Sequence, residues 1–473
     1  MLFYQDSLTD EIRIEHTNTY VMQDTKKKPY KQNKYYVLVL LINLFFMSQI
    51  AVSGLYAQEN IEKDTARLSA DQMKTEEALY EKLIRDPKML RHSADAKEGW
   101  IPIPGKETSI RFGGFIQVNY IHDFQNTGYP YGDFIPSLIP VPTDNTSGTQ
   151  FDPRTSRITF ETKTPTKIGT VSTYFGIDFA TSSAAPRLRQ AYVSWTSNRN
   201  GGNIVVGQSW TTMIDLGVWP ELFDLEGPNA MTGLRQVVLR YSFTMDKSKQ
   251  WLASIALEQP DTQVQNGIGY ESLPDLGARV SWNKDWGHLT GAGIARQLIA
   301  ESTMNTGKDK AFGWGLSLSG NLKIPGTKRN TPKELLGNLG SRQDNFKFQL
   351  AGGQGIGRYV FDLGSAPEPQ DAFYNIETAE IKPLNEVGAF GAYQHWWSDR
   401  WRSTLVGGWV EKTKLSELPD DEFKQSLYGV LNLMFRPFNR MDVGAEYYWG
   451  QRTDKDGQSG HANRILVGVN YVF

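Results

Sequence analysis

The segment Ala462–Phe473 (ANRILVGVNYVF) decides the predicted fold of this chain. Its apolar side chains recur at every second position from Ile465 onward, while Arg464 and Asn470 fall on the opposite side. This is the period of a β-strand with one apolar and one polar face. A strand that ends on an aromatic residue suits a closed barrel in a membrane, because closure pairs the last strand with the first. We therefore expect an outer-membrane β-barrel.

The composition agrees with a barrel and argues against other classes of membrane protein. With 39% hydrophobic residues and a mean hydropathy of -0.45, the chain is too polar for a bundle of membrane helices. Barrel strands tolerate this polarity because lipid-facing and lumen-facing side chains alternate. The net charge of -2 implies no nucleic-acid partner, and the scattered histidines and glycines indicate no metal site and no cofactor.

The N-terminal region has the pattern of a signal peptide. A lysine-rich stretch from Lys26 to Lys34 precedes the apolar run Val37–Met47, and Leu55–Ala57 offers a cleavage site with a small residue at its end. Residues 1–57 are accordingly interpreted as a signal peptide with an upstream extension. A single membrane-anchoring helix is the alternative, although polar residues interrupt the apolar run.

Residues 58–100 are predicted to form a helical segment and linker on the periplasmic side. No glycine or proline occurs between Gln58 and Pro87, and apolar residues are spaced helically among charged ones. The segment is either a solvated helix or a short oligomerising stalk. A proline-containing linker, Trp100–Gly105, then leads into the barrel, which we place at residues 101–473.

From residue 108 onward, the period-two pattern repeats and predicts about 16 strands, each of the length that a tilted membrane strand needs. The fold class is thus all-β: a transmembrane antiparallel barrel. The strands are centred at Phe115, Ile158, Phe175, Tyr192, Val205, Leu239, Ser254, Arg279, Ala292, Leu316, Phe348, Gly391, Val406, Val430, Ala445 and Val467.

Connection lengths test this interpretation independently, since a bacterial barrel alternates long outer loops with short periplasmic turns. Short connections are predicted at 165–169, 197–201, 244–249, 284–287, 398–400 and 437–440. Long ones are predicted at 124–151, 211–233, 260–274, 299–310, 358–384, 415–424 and 453–461. Two connections depart from the rule, because 181–185 is short for an outer loop and 324–345 is long for a turn.

Two stretches are more specific than a generic barrel. Residues 152–179 contain the strand pair around Arg157 and the turn TPTKIG, and residues 189–241 contain RQAY, GQSWTTMID, PELFDLEGP and RQVVLRY. These stretches resemble the DcaP-like porins. The resemblance implies a trimeric outer-membrane diffusion channel with an N-terminal helical segment that supports trimerisation.

The candidate selectivity residues are lumen-facing arginines. The strand phase puts Arg157, Arg240 and Arg279 inside, because a lipid-facing arginine in mid-membrane would cost about 2–4 kcal/mol. A ring of arginines selects anions and offers a bidentate fork to carboxylates. The hypothesis is a passive channel for small anionic solutes, with dicarboxylates suggested by the resemblance. A weakly selective channel, in which the arginines pair with acids, is the alternative.

The loop 211–233, called the inner loop below, is the candidate constriction. It carries Asp215, Glu221, Asp224 and Glu226, and it holds more apolar residues than a solvated outer loop needs. We expect it to fold into the lumen or onto a neighbouring subunit. By analogy with general porins it would narrow the channel.

The remaining expectations concern partners and other classes of protein. The predicted location implies contacts with outer-membrane lipids and lipopolysaccharide, and the barrel-assembly machinery is expected to recognise Tyr471 and Phe473 at the C-terminus. A homotrimer is expected from the resemblance. Two alternatives stay open at this stage: a barrel enzyme such as a lipid hydrolase, and a structural or adhesin-like barrel with a plugged lumen.

Overall fold

The computed structural model describes residues 99–129, 132–302, 307–329, 342–413 and 415–473. The predicted signal peptide and nearly all of the predicted helical segment lie outside these residues. Sixteen strands, β1–β16, form the barrel. Their bounds are Ser109–Asp123, Gly148–Asp152 continued by Arg157–Pro165, Gly169–Asp178, Arg187–Ser197, Asn203–Trp210, Arg235–Thr244, Trp251–Glu258, Asp275–Lys284, Gly287–Ser302, Lys308–Lys323, Asn345–Gln354, Asn385–Trp396, Trp401–Lys412, Phe423–Phe435, Met441–Asp454 and Ser459–Val472.

The strands form one closed antiparallel sheet. Each strand pairs with its neighbours in sequence, and the last strand pairs with the first, from Phe115 opposite Val472 to Asp123 opposite Arg464. The predicted strand count is confirmed, as is closure of the barrel by the C-terminal strand. Closure leaves no barrel strand with an unpaired edge, which a membrane requires because lipid cannot hydrogen-bond the backbone.

Side chains alternate between lipid and lumen as the sequence predicts. On β8, Leu276 and Val280 are 56% and 40% exposed on the outer face, whereas Asp275 and Ser281 are 1% and 4% exposed on the inner face. On β16, Val467 and Val469 point outward and Arg464 is buried inside. The outer face is apolar because lipid surrounds it, so the polar residues of each strand collect in the lumen.

Most short connections lie at one end of the barrel, called the turn end below, and most long connections lie at the other, called the loop end. The connection 324–344 is a long one at the turn end, as the sequence predicts. The turn end carries the connections after the even-numbered strands, and the loop end carries those after the odd-numbered strands. The expectations of long loops at 299–310 and 453–461 are wrong. Strand β9 extends to Ser302 and β10 begins at Lys308, with Glu301 paired to Lys308. Strand β15 extends to Asp454 and β16 begins at Ser459, with Thr453 paired to Ser459.

Three of the long connections fold into the barrel on the side of β9–β16. They are residues 124–147, the inner loop, and residues 355–384. Their apolar side chains pack with inward residues of the wall, as Phe134 and Phe223 do with Tyr448, and Phe361 with Phe390 and Val410. Only the inner loop was expected to fold inward. The other short elements are the 3₁₀ turns Pro136–Leu138, Leu216–Val218 and Gly357–Tyr359, the helix Phe361–Gly364, and the strands Ile101–Pro102, Val264–Gln265, Gly267–Tyr270, Ala372–Asn375 and Glu380–Pro383.

Within the described residues, no helix has both the length and the apolar character needed to cross a membrane.

Candidate functional site

The inner loop leaves β5 and crosses the lumen to the opposite wall. Its entry is held by Glu258 on β7, whose carboxylate accepts hydrogen bonds from the Thr211 hydroxyl and the Thr212 amide, both at 2.6 Å. Its far side is held by Gln117 on β1, which donates to the Phe223 carbonyl at 2.7 Å. Contacts to both walls fix the loop across the barrel.

Two of the four loop acids have side-chain partners on the wall. Asp215 accepts hydrogen bonds from Ser319 at 2.7 Å and pairs with His288 at 2.8 Å. Burial alone would raise the pKa of Asp215, but these partners hold it at about 2. Glu221 accepts a hydrogen bond from Arg402 at 2.6 Å, and this cation lowers the pKa of Glu221 to about 2 against the effect of burial. Both carboxylates are therefore ionised and matched by wall groups.

The other two loop acids, Asp224 and Glu226, have raised pKa values. Asp224 is buried and accepts hydrogen bonds from the Phe134 and Glu226 amides, each at 2.9 Å, and burial raises its pKa. Glu226 lines a cavity, and burial together with the charge of Asp133 raises its pKa to about 7. Asp224 thus serves the packing of the inner loop against residues 124–147, while Glu226 changes charge near neutral pH.

Arg240 and Arg279, two of the three predicted arginines, line one cavity of about 480 Å³ between the inner loop and the turn end. Arg240 donates to the Trp210 carbonyl at 3.1 Å, and Arg279 donates to the Ile214 carbonyl at 2.6 Å. Within the described residues, neither guanidinium forms an ion pair with a carboxylate. The rest of this turn-side cavity is lined by the carboxylate Asp215 of the inner loop and largely by uncharged polar groups, including Tyr192, Asn203, Ser242 and Ser254.

Arg157, the third predicted arginine, lies outside that cavity. It faces inward on β2, with its guanidinium 5.3 Å from the centre of the Phe115 ring. Its Nε atom is buried and makes no hydrogen bond within the described part of the chain. In the strand register it lies opposite Asp178, whose carboxylate is bound by Arg187 and Arg189 at 2.9 and 2.8 Å.

A second cavity, of about 290 Å³, lies nearer the loop end. Its lining includes Glu226 and Arg235, and Trp210 lines both cavities. The Arg235 guanidinium lies 4.5 Å from the centre of the Trp210 ring, and Trp219 and Phe361 pack edge-on to each other nearby, 5.5 Å apart. The two cavities share Trp210, and arginines outnumber carboxylates in each lining: Arg240 and Arg279 with Asp215 in the first, and Arg235 and Arg358 with Glu226 in the second. The space beside the inner loop that contains them is called the passage below.

Several groups of this site were not identified from the sequence. Arg187, Arg189 and Arg235 extend the basic wall, and Glu258 and Arg402 anchor the inner loop. The inward strand phase of Arg187, Arg189, Glu258 and Arg402 was readable in the alternation with Leu188, Leu257 and Leu405, all of which are exposed. Arg235 has the strand phase of the exposed Val237, so the alternation would have placed it on the outer face. The alternation could not predict which residue each of these inward side chains contacts inside the lumen.

The C-terminal residues occupy the outer face at the turn end. Tyr471 and Phe473 are exposed, and the Phe473 amide donates to the Gly114 carbonyl at 3.1 Å. Arg464 and Asn470 point inward, but Arg464 is buried beneath residues 124–147 and forms an ion pair with Asp123 at 2.6 Å. The prediction that Arg464 faces inward holds, but its guanidinium joins the two closing strands and is shielded from the passage.

A closed sheet of 16 antiparallel strands with an apolar outer face and a loop folded into a polar lumen defines a porin-type channel. Residues 88–473 match the family described as DcaP outer membrane protein, and the chain belongs to this family. It is therefore a β-barrel channel of the bacterial outer membrane and not an enzyme. The turn end is accordingly the periplasmic end.

A solved structure shares this architecture. The outer membrane channel DcaP of Acinetobacter baumannii matches with a TM-score of 0.65 and 18% identity, over 79% of this chain and 99% of that chain. An anion-selective porin from Comamonas acidovorans matches with a TM-score of 0.48 and 7% identity, over 78% and 100%. At these identities the first match establishes the fold alone. No curated protein sequence matches the chain.

Proposed function

We propose that this channel conducts small hydrophilic solutes passively and favours anionic ones, with carboxylates and dicarboxylates as the solute class. The observation that carries the proposal is the unequal pairing of charges beside the inner loop. Asp215 and Glu221 are matched by partners on the wall, whereas Arg240 and Arg279 keep N–H groups directed at a polar cavity without a carboxylate partner.

In the turn-side cavity two arginines face one carboxylate, Asp215, so the net charge there is positive. An arginine whose carbonyl acceptor is neutral retains its full charge, and that charge acts over several ångströms in a narrow lumen of low dielectric constant. The guanidinium fork also matches the geometry of a carboxylate. The alternative of a weakly selective channel required the arginines to pair with the acids of the inner loop, and within the described residues Arg157, Arg240 and Arg279 form no such pairs.

Solute flux tests this proposal. Liposomes that contain the purified channel are diluted into isotonic solutions of a neutral sugar, a dicarboxylate or a diamine of similar size, and swelling rates are compared. We expect the dicarboxylate to enter faster than the diamine, and Arg240→Gln to reduce that difference while leaving sugar entry unchanged. Equal entry of the two charged solutes would contradict the proposal.

We also propose a homotrimer, which the membership of this family supports. In planar bilayers, each insertion of a trimer should give conductance that closes in three equal steps. Single steps at every insertion would contradict a trimer without affecting the proposed selectivity.

A further inference from the structure

The periplasmic end of the barrel carries an exposed basic side chain at every one of its turns. The set, called the basic rim below, consists of Lys167, Arg199, Lys247, Lys249, Lys284, Lys328, Arg400 and Arg440. Seven of these residues lie in the connections that follow even-numbered strands, and Lys284 is the last residue of β8, directly before its connection. The barrel closes on itself, so the basic rim runs around the whole periplasmic circumference.

The charges of the basic rim are not neutralised by the protein. None of its eight members forms an ion pair with a carboxylate in the described part of the chain. The arginines that form ion pairs on the neighbouring wall face inward; Arg436, which pairs with Asp442, is an example. Three acidic residues, Asp246, Asp285 and Asp399, lie in the same turns, so the basic rim presents an excess of positive charge to whatever surrounds the periplasmic end.

At the opposite end of the barrel, several connections lack basic residues and contain acidic ones. The loops 124–147, 179–186, 211–234 and 259–274 contain no lysine or arginine, although three of them contain aspartate or glutamate. The loop 413–422 ends in the acidic run Asp420–Glu422. The loop-end connections 355–384, 413–422 and 455–458 do contain lysine or arginine, but each contains at least as many acidic residues. An excess of basic over acidic residues is therefore found in the connections of the periplasmic end and not in those of the loop end.

Exposed apolar side chains accompany the basic residues within the same turns. Ile168 follows Lys167 and is 67% exposed, Met245 is 59% exposed beside Lys247, and Phe438 is 53% exposed beside Arg440. The Lys284 ammonium lies 5.4 Å from the centre of the Trp282 ring. A cation paired with an apolar group fits the boundary between lipid headgroups and acyl chains, where one end of a side chain is wet and the other apolar.

We propose that the basic rim binds the headgroups of anionic phospholipids, such as phosphatidylglycerol, in the inner leaflet around the barrel. The negative headgroup charge complements the ring of cations, and the adjacent apolar groups insert among the first methylenes of the acyl chains. This association holds the barrel at a fixed depth in the membrane. It depends on the fold and location of the channel and is independent of its solute selectivity.

Spin-labelled lipids test this proposal on the full-length channel reconstituted in phosphatidylcholine vesicles. The fraction of motionally restricted lipid is measured for phosphatidylglycerol and phosphatidylcholine that carry the same acyl-chain label. We expect phosphatidylglycerol to be favoured by about two-fold or more at low salt, and this preference to shrink in 0.5 M NaCl because salt screens surface charge.

Two sets of four substitutions separate the basic rim from total charge. One set is Lys167→Gln, Arg199→Gln, Lys284→Gln and Arg440→Gln, and the matched control set near the loop end is Lys308→Gln, Lys310→Gln, Lys382→Gln and Lys424→Gln. The rim set should remove most of the preference, and the control set should preserve it. No preference in the unaltered channel, or an equal loss in both sets, would overturn the proposal. Binding of the unaltered channel to peptidoglycan sacculi, without lipid preference, would also overturn it and assign the rim to that polymer.

Discussion

The Arg402 guanidinium on β13 and the Glu221 carboxylate of the inner loop form a two-point ion pair across the lumen. The Arg402 side chain is fully buried, contacts Asp442 at 2.7 Å, and lies 5.3 Å from the centre of the Trp396 ring. The pair ties the middle of the inner loop to the wall and removes the charge of Glu221 from the passage. The position of the loop and the sign of the field beside it thus depend on the same contact.

Replacing Arg402 with alanine should destabilise the barrel and loosen the inner loop. Glu221 and Asp442 would lose their shared cation, and we expect a loss of about 3 kcal/mol, the lower end for buried pairs because Glu221 retains partial exposure. The measurement is urea unfolding in detergent micelles, with single-channel current noise as the readout for the loop. Arg400→Ala, at an exposed turn position, is the control and should change neither quantity. Unchanged stability and noise in Arg402→Ala would show that the pair does not hold the loop.

Glu226 should make the selectivity of the channel depend on pH. Burial and the nearby charge of Asp133 raise the pKa of Glu226 to about 7, so its carboxyl is neutral at pH 5.5 and charged at pH 8.5. The negative charge at high pH opposes Arg235 in the same cavity. We therefore expect anion preference to rise as pH falls through 7.

The matching variant is Glu226→Gln, which fixes the neutral state. Its anion preference should equal that of the unaltered channel at pH 5.5 and should stay constant up to pH 8.5. Reversal potentials at several pH values measure this. A pH dependence that persists in Glu226→Gln would assign the titration to another group.

Deletion of Phe473 should impair assembly more than conduction. Phe473 lies on the outer face, away from the passage, and its amide continues the pairing of β16 with the first strand through Gly114. We expect a lower yield of folded channel in the outer membrane, measured by heat-modifiable migration on gels, and normal conductance for the molecules that insert. Phe473→Tyr keeps the aromatic ring and should restore the yield. A normal yield after deletion would count against an assembly role for this residue.

Period-two alternation carried most of the fold prediction, because lipid on one side of each strand imposes a strong constraint on every second residue. It gave the strand count, closure through Ala462–Phe473, and the inward phase of Arg240 and Arg279. The alternation predicted the ends of strands less accurately, because β9 and β10 continue into the predicted loop 299–310. At those ends the strands extend beyond the lipid, so lipid no longer forces every second residue to be apolar.

Contacts inside the lumen were mostly beyond prediction. The Asp362 carboxylate binds the Ser137 amide at 2.9 Å, although the two residues lie in different loops far apart in sequence. No local period connects such residues, since the contact exists only after the barrel has closed. One signal was available: residues 134–139 are as apolar as the inner loop, and the same reasoning would have placed them inside.

The central claim is that unpaired arginines beside the inner loop select anions, and the reversal potential of single channels in a KCl gradient tests it most directly. The unaltered channel should show a potential of the sign for chloride preference, and Arg240→Gln with Arg279→Gln should lower the anion-to-cation permeability ratio by roughly two-fold or more. Arg440→Gln removes a charge outside the lumen and should leave the ratio unchanged. A potential of zero in the unaltered channel, or a chloride preference that survives the double substitution, would contradict the account.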